Sequence, residues 1–172
     1  SVQLRDREVH FFGVSDIKEP NRAWREYKFK LTGRKWDYDF RRMFYTWSDD
    51  ISTGQFKPWV EVASREETCG WLFPADLWAA RNGLVHVLWT ERAIDERLRE
   101  KFFPEAKQSH ALNYAILDDG EVIFRAPVIH VEEGESNMVP KFGRFHITPD
   151  ERIFIFFSLG HKDAGQEKPV VE

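Results

Sequence analysis

Asp76-Leu-Trp-Ala-Ala-Arg-Asn-Gly-Leu-Val-His-Val-Leu-Trp89 reads as two strands joined by a tight turn. Asn82-Gly83 supplies the residues a two-residue hairpin loop needs, because both central positions of such a loop favour positive φ. The segment after the turn, Gly83-Leu-Val-His-Val-Leu-Trp89, has two relatives in the chain: Arg7-Glu-Val-His-Phe-Phe-Gly13 and Glu151-Arg-Ile-Phe-Ile-Phe-Phe157. His10, His86 and Phe154 hold the same place in the three copies, 76 and then 68 residues apart. Each copy follows a turn (Asp6-Arg7, Asn82-Gly83, Asp150-Glu151), and Arg144-Phe-His-Ile-Thr148 stands before the last one as a partner strand.

Working outward gives a unit of four strands, A to D. The first unit is expected to place B at 8–14, C at about 41–48 and D at about 59–63, with most of its A strand missing. The second places A at 73–80, B at 84–90, C at 111–117 and D at 122–130, its last two joined by Asp118-Asp119-Gly120. The third has only A at 143–148 and B at 152–158, followed by the polar tail 161–172. Residues 24–39 alternate partly, as an extension of C or an extra hairpin. One helix is expected, at 91–103, where Ile94, Leu98 and Phe102 share a face and Pro104 ends the run.

Tandem four-stranded units predict an all-β fold of β-propeller-type antiparallel blades, about two blades plus a hairpin, with one short helix in a loop. The rival is a β-sandwich. The whole is read as a single domain with units at about 1–64, 71–131 and 142–160. It starts late in one unit and stops early in another. That predicts a piece of a larger ring, or a chain completed by further blades or a second copy.

Composition narrows the partners. The 172 residues are 42% hydrophobic and 31% charged, as in a folded globular chain. The net charge of −4 offers no basic excess for phosphates, so no nucleic-acid partner is expected. No apolar run is long enough to span a membrane as a helix. The single cysteine, Cys69, rules out an internal disulfide. No metal and no other cofactor is expected. A load of 15 Phe and 7 Trp suits cross-strand packing and also sugar stacking.

Tyr45-Thr-Trp-Ser-Asp-Asp-Ile-Ser-Thr-Gly-Gln-Phe-Lys-Pro-Trp59 resembles a loose Asp-box, the Ser-x-Asp-x-Gly-x-x-Trp turn of sialidase-like propellers. Ser48 and Asp50 match its start, while Gly54 and Trp59 come later than the pattern allows. The resemblance covers most of residues 2–160. It implies a carbohydrate-active protein with a glycan partner: hydrolase, polysaccharide lyase or non-catalytic binder. It also implies that the substrate rim lies opposite the Asp-box turns, on the B–C and D–A connections. The long loops 15–24, 64–74, 91–110 and 132–142 fall there.

Candidate site residues follow from that rim. His110 and Tyr114 flank the start of a C strand, with Asn113 between them. A Tyr/His pair beside arginine suits proton abstraction from a uronate. A core Tyr and a surface His are the plain alternative. Arg92, Arg144 and His146 form a second group, since guanidinium holds carboxylates bidentately. Inter-unit salt bridges explain them equally. Asp76 and Glu91 are possible acids for glycoside hydrolysis, and Asp76 could instead pair with arginine. Trp71 and Trp78 are possible stacking platforms. His10 and His86 lie between apolar strand neighbours and read as packing residues. Glu66-Glu67 and Glu132-Glu133 read as solvated loop charges.

Overall fold

The computed structural model describes residues 1–35 and 37–162. In chain order the elements are β1 (Val2–Arg5), β2 (Glu8–Val14), β3 (Ile17–Lys18), α1 (Arg22–Thr32), β4 (Tyr38–Asp39), β5 (Arg42–Ser48), a 3₁₀ turn (Ile51–Thr53), β6 (Val60–Ser64), β7 (Trp71–Ala79), β8 (Val85–Arg92), α2 (Glu96–Phe102), β9 (Ser109–Asp118), β10 (Glu121–Glu132), β11 (Met138–Ile147) and β12 (Ile153–His161). Four antiparallel sheets result. The first orders its strands β1-β2-β5-β6 and the second β7-β8-β9-β10, while β11-β12 and β3-β4 are two-stranded. The fold is thus mostly β, as the alternation and turn signals predict. No helix among the described residues is long and apolar enough to cross a membrane.

Turn chemistry sets the strand ends. Asp119 and Gly120 both have positive φ (45° and 81°), the requirement of the tight hairpin between β9 and β10. Gly120 is also needed for space. A Cβ there would lie 2.9 Å from the Trp47 ring, so the turn of the second sheet closes against the first only without a side chain.

Two expectations about the connections are corrected. Residues 24–39 neither extend the C strand nor form a hairpin among themselves: 24–32 belong to the helix α1, and of the described residues only Tyr38–Asp39 are strand, β4 paired with β3. Asn21 caps α1 by accepting from the Trp24 amide, and Gly33 ends it at φ 67°. Trp24, Tyr27, Lys28 and Leu31 recur at helical spacing on its inward side. The helix expected at 91–103 starts later, because Glu91 and Arg92 are still paired to Leu72 and Trp71 in the β7–β8 ladder. Asp95 is its N-cap. The A strand of the first unit is present as β1, and residues 163–172 of the expected tail lie outside the described residues.

The layers stack sheet on sheet. Phe12, Met43, Tyr45 and Val62 of the first sheet meet Val87, Trp89, Ala115 and Leu117 of the second in the main core. Each such fully buried large side chain contributes about 1.5–3 kcal/mol. A smaller core joins Leu88 and Leu112 of the second sheet to Phe145 and Ile155 of the β11–β12 hairpin. Edge contacts hold the layers in place. Arg5 donates to the Ala80 carbonyl at 2.7 Å between the first two layers. Arg144 donates to the Ala75 carbonyl at 2.7 Å between the second and third.

The repeat is visible in side chains. His10 Nδ1 and the Tyr45 hydroxyl are 2.8 Å apart, and His86 Nδ1 and the Tyr114 hydroxyl are 2.6 Å apart. In each sheet the tyrosine lies two residues before the histidine's cross-strand partner, Trp47 or Ile116. Burial pushes both imidazoles below their usual pKa, towards the neutral form.

Candidate functional site

Pairing in the second sheet builds a cleft at one end of it. Trp71 on β7 is paired with Arg92 on β8, and Arg92 with His110 on β9. Three residues from three strands therefore form one cross-strand row. They line a cleft of about 230 Å³, closed by Val139, Pro140 and Lys141 of β11 and by Gln108, Glu133 and Lys162. Its position is the end of the sheet where the β8–β9 and β10–β11 connections lie.

Its carboxylates are engaged. Glu91 accepts from Arg65 Nε at 2.7 Å, Trp89 Nε1 at 3.2 Å and Asn113 Nδ2 at 3.0 Å. Glu96 accepts from Gln108 Nε2 at 2.7 Å. Glu133 takes both arms of Arg99, at 2.7 and 2.6 Å, and that guanidinium holds its carboxyl down at about 2. Gln108 also clasps the Ile94 amide and carbonyl, fixing the connection that carries α2. Arg92 is deeply set, and burial pushes its guanidinium pKa below the usual value. Trp71 stacks on Phe73 with ring centroids 5.3 Å apart.

The remaining candidates lie elsewhere. Tyr114 faces the smaller core, bonded to His86 and edge-on to Phe145, and burial pushes its phenol pKa up. Asp76 accepts from Arg144 at 3.3 Å and from the Phe145 amide at 2.9 Å, so this pair stitches β7 to β11. His146 sits on the outer side of the hairpin against Phe154 and Phe156. Trp78 packs on the His86 ring, 4.9 Å between centroids. In the stretch 45–59, Asp50 caps the 3₁₀ turn through the Ser52 amide and pairs with Arg7. The structure thus gathers Trp71, Glu91, Arg92 and His110, and it sets Tyr114 and the Asp76–Arg144 pair apart from them. Lys141, Gln108 and Lys162 complete the cleft and carry no local sequence signal, since tertiary packing alone brings them there.

A second charged group was also illegible in the sequence. Glu19, Lys28, Asp39 and Arg41, all within 2% of complete burial, meet beneath α1. Arg41 holds both Glu19 oxygens, at 2.7 and 3.0 Å, and Lys28 reaches Glu19 at 3.1 Å. Lys28 also pairs with Asp37. Asp37 and Asp95 are bridged by Arg97. Cys69 lies in this cluster, and burial pushes its thiol up to about 12, far from a reactive thiolate. Among the described residues no group of acidic, His or Cys side chains is arranged to hold a metal ion.

Comparison with protein-family models, curated proteins and solved structures finds no match.

Proposed function

We propose that this chain is a carbohydrate-active module of propeller type that binds an acidic glycan in the Trp71–Arg92–His110 cleft. The single observation carrying this reading is the cross-strand row. It sets a flat aromatic, a guanidinium and an imidazole side by side, and Lys141 lines the same cleft. Aromatic faces stack on sugar rings, and guanidinium groups grip carboxylates. Binding is favoured over hydrolysis or β-elimination because Glu91, Glu96 and Glu133 are each engaged by donors. In addition, the Tyr114 phenol is bonded to His86 and lies outside the cleft lining. The propeller-type reading of the sheets is supported by the A-B-C-D strand order in both four-stranded sheets and by the equivalent His–Tyr pairs.

Calorimetric titration with sialyllactose, oligogalacturonate and neutral cellotriose tests this. An acidic sugar should bind, more weakly as salt rises. Trp71→Ala and Lys141→Ala should each weaken it by about tenfold, equivalent to ~1.4 kcal/mol, with unchanged circular dichroism. Equal affinity for cellotriose, or no binding of any of the three, would overturn the reading. Appearance of cleaved product in the mass spectrum would replace binding by catalysis.

A further inference from the structure

The layers of the molecule are stacked with a direction. The side of the first sheet that carries His10 and Tyr45 may be called its front; it packs on the side of the second sheet that carries Val87 and Trp89, the back. The Phe12 and Trp89 rings meet there at 6.5 Å. The second sheet repeats the arrangement. Its front, with Leu112 and Tyr114, packs on the hairpin side that carries Phe145 and Ile155. Gly143 comes so close that a Cβ would lie 2.9 Å from Leu112. Both interfaces are therefore front to back.

Among the described residues such a stack leaves one back and one front uncovered. The uncovered back belongs to the first sheet. Trp59 (58% exposed) gathers Phe11 and Phe44 around it, at centroid distances of 5.7 and 6.3 Å. Together with Gly13, Val14 and Arg42 they line an apolar groove of about 430 Å³. The uncovered front belongs to the hairpin, where Phe142, Phe154 and Phe156 are 41%, 47% and 64% exposed. The two free faces lie at opposite ends of the stack, and both are aromatic where a solvated sheet face would be polar.

We propose that a second copy of this chain docks head to tail, setting Phe154 and Phe156 of its hairpin into the Phe11–Phe44–Trp59 groove of the first. A second copy is the occupant the structure favours because the contact would continue an interface the chain already makes twice. Every copy brings one free front for each free back. Such a contact is heterologous: it closes into a ring or propagates, according to the rotation between copies. It rests on the front-to-back succession of the sheets and not on the glycan, so its failure would leave the cleft untouched.

Sedimentation velocity of the 172-residue chain over a micromolar concentration series is the test. The parent should associate. Phe156→Glu and Trp59→Glu both alter exposed side chains, and each variant alone should remain monomeric with unchanged circular dichroism. Mixed together, they should form a one-to-one complex, because Phe156→Glu keeps an intact back and Trp59→Glu an intact front. A parent that stays monomeric throughout would overturn the proposal. So would self-association of either variant alone, which marks a contact between like faces, or a mixture that fails to combine.

Discussion

The two four-stranded sheets follow one strand plan, yet their middle connections are filled in opposite ways. Between β2 and β5 the chain buries charge: Glu19, Lys28, Asp39 and Arg41 neutralise one another beneath α1. Between β8 and β9 it buries mainly hydrocarbon, with Ile94 and Leu98 nearly inaccessible, and sends Asp95 across to the charged group. The charged groups at the second sheet's end, among them Arg92 and Glu133, line a cleft instead. Where a connection's ions are turned inward against each other, they fix the loop. Where apolar residues hold the loop, the polar residues around it can face a ligand.

The largest expected effect breaks the first half of that contrast. Glu19→Ala would remove the carboxylate that Lys28 and Arg41 share in a buried place, leaving Lys28 to Asp37 and Arg41 to Asp39 and Glu66 with one positive charge in excess, and loss of one partner of a buried pair costs about 3–5 kcal/mol. Urea denaturation should show it. The counterpart Leu98→Ala should cost about 2–5 kcal/mol through the cavity it leaves. The difference lies in rescue. Replacing Glu19 and Lys28 together by apolar residues should recover part of the loss, since the excess positive charge is gone. A Glu19→Ala cost below about 1 kcal/mol would show that the cluster is solvated rather than buried.

Acid sharpens the same comparison at a smaller scale. Burial alone would raise the Glu19 carboxyl, but Arg41, the Asn21 amide and Lys28 outweigh it and hold it below its ordinary 4.5. Asp95, held down by Arg97 and Lys28 against its burial, lies below 3.8. A carboxyl with a depressed folded pKa stabilises fully above its unfolded value and loses that contribution as pH falls through the folded one. Asp39 works the other way: burial raises it, so acid relieves its cost. With two groups against one, stability should be lost as pH falls below about 4.5. Glu19→Gln should therefore narrow the stability difference between about pH 7 and about pH 3 in urea titrations. An unchanged difference would remove Glu19 from the acid response.

Strand positions were legible because alternation and turn chemistry are local. Asn82-Gly83 and Asp119-Gly120 mark hairpins whatever surrounds them. The helix α1 was missed because Tyr27, Phe29 and Leu31 also satisfy a period of two, and only the Asn21 cap and Gly33 stop distinguish the readings. Trp71, Arg92 and His110 could each be named from the sequence. Their row could not, because it depends on pairing across three strands that includes the irregularity between Pro74 and Asp76. The charge cluster was hidden for the opposite reason. Glu19, Lys28 and Arg41 look like surface residues until α1 folds over them.

The smallest effects should come from the equivalent His–Tyr pairs, which differ in what surrounds them. Tyr45 is 2% exposed, so His10→Phe strands its hydroxyl without water, at about 1–3 kcal/mol. Adding Tyr45→Phe should recover most of that, since removing both partners leaves nothing unsatisfied. Tyr114 is only partly buried, so its hydroxyl can turn to water and His86→Phe should cost less than about 1 kcal/mol. Phe154 already stands at the corresponding place in the hairpin. A double-mutant cycle at each site measures the two couplings. Equal couplings would mean that the second pair is as dry as the first, and that its partial exposure in the static structure does not admit water to the hydroxyl.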